Sequence, residues 1–201
     1  MAKGKSALAL ALKKKIGSND EIQKVTHWID TGFPPLNKAI SGRYDGGFPC
    51  GRIVEVFGPP SAGKTFLATA AMISAQKQDG LAVFLDHENS FDVGLAVANG
   101  LNADEDDGQW VYKQPDTFED SVELIGTILK LVRDEELIPE SAPICIVADS
   151  LASMVPNSKA EKFEKMAEGT AKDKDQLNMN DNTALARATS ANFPTPAYHT
   201  G

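Results

Sequence analysis

The chain has 201 residues, of which 42% are hydrophobic and 24% charged. That is the profile of a soluble globular protein with one main domain and enough length for a core without staples. Its formal net charge of -8 excludes global attraction to nucleic acid or to an anionic membrane, so any nucleic-acid site must be local.

The N-terminus opens with Leu8, Leu12 and Ile16 spaced four apart beside Lys13, Lys14 and Lys15, the face of a short helix. An arm that packs on the core or on a neighbouring subunit is preferred to a basic membrane-surface helix, because the stretch is short. It is also too short for a secretory core, and no run approaches the roughly 20 apolar residues of a membrane span. Thr26–Ile29 reads as a short strand, and the turn-rich Asp30–Gly51 contains one short helix, PLNKAIS. Ile53–Phe57 is expected to be a strand, followed by a helix over Thr65–Gln78 with Leu67, Ala70, Ala71 and Ile73 or Ser74 facing inward. Leu81–Leu85 is continuously apolar, as a buried parallel strand should be. A short helix then ends at Gly100, and Trp110–Lys113 gives a short strand.

Thr117 is a helix N-cap with Asp120 three residues on. Val122, Ile125, Leu129, Val132 and Leu137 keep helical spacing after it, and Ile144–Ala148 is another buried strand. Cys145 lies in that apolar run and reads as a small buried hydrophobe. With only Cys50 besides, there is no disulfide framework or metal spacing, which fits a reducing, cytosolic home. Asn157–Asn182 is polar and reads as a mobile loop with a short helix; Thr183–Phe193 is helix-like. Alternating strands and helices predict an α/β fold with right-handed βαβ units and a mostly parallel central sheet.

Gly58-Pro59-Pro60-Ser61-Ala62-Gly63-Lys64-Thr65 fits G-x-x-x-x-G-K-[ST], the phosphate-binding P-loop, between a predicted strand and a predicted helix. Gly63 permits backbone torsions that a Cβ forbids. Successive amide N–H groups then form an anion nest at a helix N-terminus. Lys64 supplies charge to the β- and γ-phosphates, and Thr65 a hydroxyl to Mg²⁺. Asp149, at the end of ICIVAD, is an acid suited to Mg²⁺ through water, or else a turn acid. Asp86 and Glu88 lie at the carboxyl end of another strand, where open α/β sheets bind ligands. Glu88 is a candidate base for the attacking water, or else a solvated turn residue. His87 beside it lacks a partner at metal-ligand spacing.

GGFPCGRIVEVFGPPSAGKT, LDHENSFD, QPDTFEDS and IVADSLASMVP resemble the RecA family of recombination ATPases. NMNDNTALARATSANFPT with IVADSLASMVP looks most like the UvsX-type recombinases of tailed phages. The resemblance runs in register from about Val25 to Thr195. It implies a RecA-like P-loop core over residues 31–201, incomplete at its C-terminal end, and an arm over residues 1–30 that docks on the next subunit. It further implies ATP and Mg²⁺ as cofactors, single-stranded DNA as partner, helical filaments, strand exchange, and mediator and single-strand-binding proteins as associates. The location would be cytoplasmic, the host's if the origin is a phage.

Carried over by position, Lys64 and Glu88 are catalytic, and residues 58–66, Phe66 included, bind nucleotide. Thr65 and Asp149 hold the metal, and Asp92 falls where the family has an acid near adenine. Leu95 stands where bacterial members stack an aromatic on adenine. Asn157–Asn182 corresponds to the first DNA loop, Arg187 to a DNA-contacting arginine, and Lys159 and Lys162 to weaker phosphate contacts. Two alternatives stay open: a nucleotide-binding module without turnover, and another P-loop enzyme such as a ring helicase with this core.

Overall fold

The computed structural model describes residues 25–104, 106–170 and 183–192. The expected N-terminal helix, the second half of the polar stretch at 171–182 and the tail from 193 lie outside them.

The described chain begins with a two-residue strand, β1 (Trp28–Ile29), paired antiparallel with β2 (Phe48–Pro49). Pattern reading misses β2 because it lies in a turn-rich stretch; a proline is tolerated in so short an edge pairing. Between the two strands, α1 (Pro34–Ser41) starts with prolines in its first turn and stops at Gly42, whose φ is 76°. Its register is set by Asn37, which is wholly buried. Asn37 Oδ1 accepts from the amide and hydroxyl of Thr31, and its Nδ2 donates to Asp30 and to the Tyr44 carbonyl.

After the Gly58–Thr65 turn comes α2 (Lys64–Gln76). Its buried face is Thr69, Ala71, Met72, Ala75 and Gln76; of the expected inward residues Ala71 is buried, while Leu67, Ala70, Ile73 and Ser74 are half-buried. Gln76 is not among those expected: its amide nitrogen donates to the Asn102 and Gln109 carbonyls, and its oxygen accepts from Asn102 N–H. A polar residue that reads outward on a helical wheel is buried because all its groups are paired.

β3 (Leu81–Asp86), α3 (Val93–Ala98), β4 (Trp110–Lys113), α4 (Phe118–Asp134) and β5 (Ile144–Asp149) complete a parallel three-stranded sheet of order β4-β3-β5. Asp86 pairs with Asp149 in the register of β3 and β5. β3 is buried throughout because both faces are covered. Ala82 and Phe84 pack with Met72, Ala96, Leu101 and Trp110, while Leu81, Val83 and Leu85 pack with Val132 on the other face. Phe91 stacks on Phe84 with ring centroids 3.9 Å apart. The predicted capping box is present: Asp120 N–H donates to Thr117 Oγ1 at 3.1 Å, and Thr117 N–H to Asp120 Oδ2 at 3.0 Å. Leu137 falls beyond the end of α4 and is exposed. A 3₁₀ turn (Leu151–Ser153), α5 (Asn157–Ala167) and α6 (Thr183–Asn192) follow, with α6 packed on α4.

Two strand expectations need correction. Ile53–Phe57 runs without strand pairing and largely exposed, Phe57 to 87%. A β-strand exists only against a partner, and among the described residues none lies alongside this segment. For the same reason β5 is half-buried rather than buried: its far edge carries no described strand.

Candidate nucleotide site

Gly58–Thr65 links the extended segment to α2. Gly63 is the N-cap at φ 85°, and no side chain caps the helix. Among the described residues the first amides of α2 therefore have no acceptor of their own, the setting in which a helix N-terminus takes an anion. A Cβ on Gly63 would meet no neighbour, so the requirement for glycine is the torsion alone. Ser61 also has a left-handed φ of 60°, a conformation that costs a non-glycine residue on the order of 1–3 kcal/mol. The Lys64 ammonium folds back on its own loop, donating to the Gly58 and Pro59 carbonyls at 3.2 and 3.0 Å.

The predicted metal pair comes together. Thr65 Oγ1 donates to Asp149 Oδ2 at 2.8 Å, bringing the start of α2 to the end of β5. Two hard oxygen donors beside an open helix N-terminus are the donor set that Mg²⁺ takes with phosphate, so these residues fit that ion.

On the neighbouring strand end, Asp86 is 2% exposed. It accepts from the amides of Glu88, Ser90 and Phe91 and from the Tyr112 hydroxyl. Burial pushes this carboxyl up, but the four donors outweigh it and hold it below the usual carboxylate range. Asp86 is thus the clamp of the 87–91 turn, which carries Glu88. His87 Nε2 lies 2.7 Å from Ser121 Oγ on α4. Burial lowers its pKa, while Asp86 and Asp120 pull the other way.

Glu88 itself is exposed. Its Oε1 accepts from Ser150 Oγ at 2.5 Å and from Ser153 Oγ at 3.1 Å. Pattern reading passes over both serines, although Ser150 directly follows Asp149 across a cis peptide bond.

Other expected residues lie elsewhere. Asp92 caps α3, accepting from Leu95 N–H at 2.8 Å, and Leu95 is exposed. Phe66 packs edge-on against Phe33 at 6.3 Å. Lys159 and Lys162 are half-buried on α5, and Arg187 is exposed on α6. Burial pushes the Cys145 thiol up to about 12, Cys50 adding to the effect, consistent with a packing role. No helix among the described residues is long and apolar enough to cross a membrane.

Residues 6–182 match the RecA N-terminal domain. The chain is 40% identical over 147 residues to "Protein RecA" of Desulforapulum autotrophicum, covering 73% of this chain and 37% of that protein. It is 39% identical over 145 residues to the RecA protein of Treponema denticola, covering 72% and 31%. With that of Oceanobacillus iheyensis it shares 37% over 172 residues, covering 80% and 44%. The chain thus spans less than half the length of these relatives. A match over most of its residues, with the P-loop, Glu88 and Asp149 at the ends of adjoining elements, makes the chain a member of the RecA family.

Proposed function

We propose that this chain binds ATP with Mg²⁺ at residues 58–65 and hydrolyses it as part of a DNA recombinase of the RecA type. The observation that carries this reading is the 2.8 Å contact between Thr65 and Asp149, with Glu88 two residues beyond Asp86, the β3 residue paired with Asp149. Backbone amides at Gly63–Thr65 receive the phosphates, and Lys64 leaves the Gly58 and Pro59 carbonyls to meet them. Thr65 and Asp149 would hold Mg²⁺, which would supply positive charge to the phosphate oxygens. Glu88 takes a proton from water as that oxygen bonds to the γ-phosphorus and the bond to the bridging oxygen breaks, releasing ADP and phosphate. Phe66 closes the nucleotide-binding run that begins at Gly58, and Asp92 lies near the nucleotide's base.

In the same reading, Lys159, Lys162 and Arg187 contact single-stranded DNA phosphates. The residue 1–30 arm docks on the core (31–201) of the next subunit and builds a filament in the cytoplasm, with mediator and single-strand-binding proteins as associates. Phosphate release should occur with ATP, rise with single-stranded DNA, and disappear in Lys64→Ala. DNA affinity should fall with salt at a log–log slope of roughly 0.7 per phosphate contacted. Failure of both DNA effects would confine the function to the nucleotide site.

The alternative to this reading is a nucleotide-binding module without turnover. It predicts nucleotide-dependent stabilisation with no phosphate release.

A further inference from the structure

The side chain of Glu88 is held through one oxygen only. Ser150 Oγ and Ser153 Oγ both donate to Oε1, and the two hydroxyls lie 3.1 Å apart. Each hydroxyl has a single hydrogen, so with both spent on Oε1 neither can donate to the other. Among the described residues nothing donates to Oε2, which is left for a solvent molecule. The two serines sit at either end of the 3₁₀ turn, and Ser153 N–H donates to the Ser150 carbonyl at 3.0 Å. This fixes their spacing. Ser150 is also covalently next to Asp149, so one short turn sets the metal-side carboxylate and the orientation of the base together.

The far end of the turn is anchored. Phe118 N–H donates to the Val155 carbonyl at 3.0 Å, and Asn157 N–H to Glu119 Oε2 at 2.9 Å. An exposed glutamate on a turn would otherwise sample several rotamers, and fixing it costs side-chain entropy. Two donors from a turn tied at both ends remove that freedom before substrate arrives.

We propose that Ser150 and Ser153 are positioning residues that aim Glu88 Oε2 at the attacking water; this rests on the hydrolytic reading of the site. A residue that acts through Glu88 rather than on the nucleotide should show its loss in kcat and leave the ATP KM within about twofold. Ser150→Ala with Ser153→Ala should lower kcat roughly tenfold, a part of the 10²–10⁴ that a general base supplies. Ser150→Thr and Ser153→Thr, which keep the hydroxyls, should restore most of it.

Thermal melts without nucleotide read the contact directly. Ser150→Ala should lower Tm by roughly 2 °C in the parent chain and by much less when Glu88 is already alanine. An unchanged kcat in the double serine variant, a loss confined to KM, or equal Tm effects in both backgrounds would each overturn the proposal. If the unmodified chain binds nucleotide but shows no turnover, the hydrolytic reading fails, and coupling seen only in the melts reduces the serines to structural contacts. If turnover is present and sensitive to Lys64→Ala but indifferent to the serines, the hydrolytic reading stands and the positioning role alone is overturned.

Discussion

Thr65 Oγ1 donates to Asp149 Oδ2 across 2.8 Å, closing a separation of 84 positions in the chain. The contact puts a hydroxyl at the start of α2 against a carboxylate at the end of β5. It therefore makes a direct prediction for metal dependence. At a hundredfold excess over its Kd, Mg·ATP should stabilise the fold by about 2.7 kcal/mol, a Tm rise of roughly 5–10 °C at this chain length. Asp149→Asn keeps the shape and removes the charge, so its Tm shift with ATP should be the same with or without Mg²⁺. A magnesium-dependent shift that survives in Asp149→Asn would take this residue out of the metal site.

Asp86 makes a separate prediction about stability. It is buried, and three amides and the Tyr112 hydroxyl converge on it. Asp86→Ala leaves those donors without an acceptor, each costing about 1–3 kcal/mol where it cannot reach water. The total loss should reach about 3 kcal/mol or more. Tyr112→Phe removes one hydrogen bond to a charged group and should cost about 1.5–3 kcal/mol. Denaturant unfolding of both variants gives the order; a Tyr112→Phe loss equal to that of Asp86→Ala would contradict the clamp. Turnover should fall in Asp86→Ala as well, because Glu88 rides on the same turn.

His87 predicts a pH dependence. Burial pushes its imidazole below the ordinary 6.5, with Asp86 and Asp120 opposing only in part. The unfolded chain therefore takes up a proton on this side chain at a higher pH than the folded chain does. Between 6.5 and the lower folded value the unfolded state binds more protons, so stability falls as pH falls through that window. It is fully present above 6.5. The Asp86 carboxyl, held below 3.8, contributes a loss only below about pH 4, well separated from this one. Tm should drop between pH 7.5 and 5.5 in the parent chain and drop less in His87→Gln. Identical slopes would assign the titration to another group.

The phosphate-loop motif opening a helix, and the placing of Asp149 at a strand end with Glu88 just past another, were legible in the sequence because these are local signals; the role of Glu88 came only from the family resemblance. The Thr117 capping box was legible for the same reason. Asp86 as a clamp was not, because its partner Tyr112 reaches it through the pairing of β4 with β3, and Phe91 through the turn that stacks on Phe84, neither of which is a local signal. Ser150 and Ser153 escaped because a serine gains a role from what it faces, and Glu88 lies more than sixty residues away. Gln76 on the buried face of α2 escaped because its burial depends on carbonyls in the loop before β4. The missing strand at Ile53–Phe57 has a different cause. Apolar, β-branched composition states a preference for pairing, but pairing needs a neighbour, and the described residues supply none.

That unpaired segment supports the last prediction. Ile53, Val54, Val56 and Phe57 are all exposed, and β5 offers a strand edge with no described partner. A run of apolar residues and an open edge on one chain invite association between copies. Because Phe57 is 87% exposed, Val54→Thr with Phe57→Ser should change stability by no more than about 0.5 kcal/mol. Phe84→Ala, by contrast, removes a fully buried ring and should cost about 3–5 kcal/mol. Light scattering should show the double variant remaining monodisperse to higher concentration than the parent. A large loss of stability in that variant would mean that Val54 and Phe57 are packed in solution, and the segment would then have to be read as a paired strand after all.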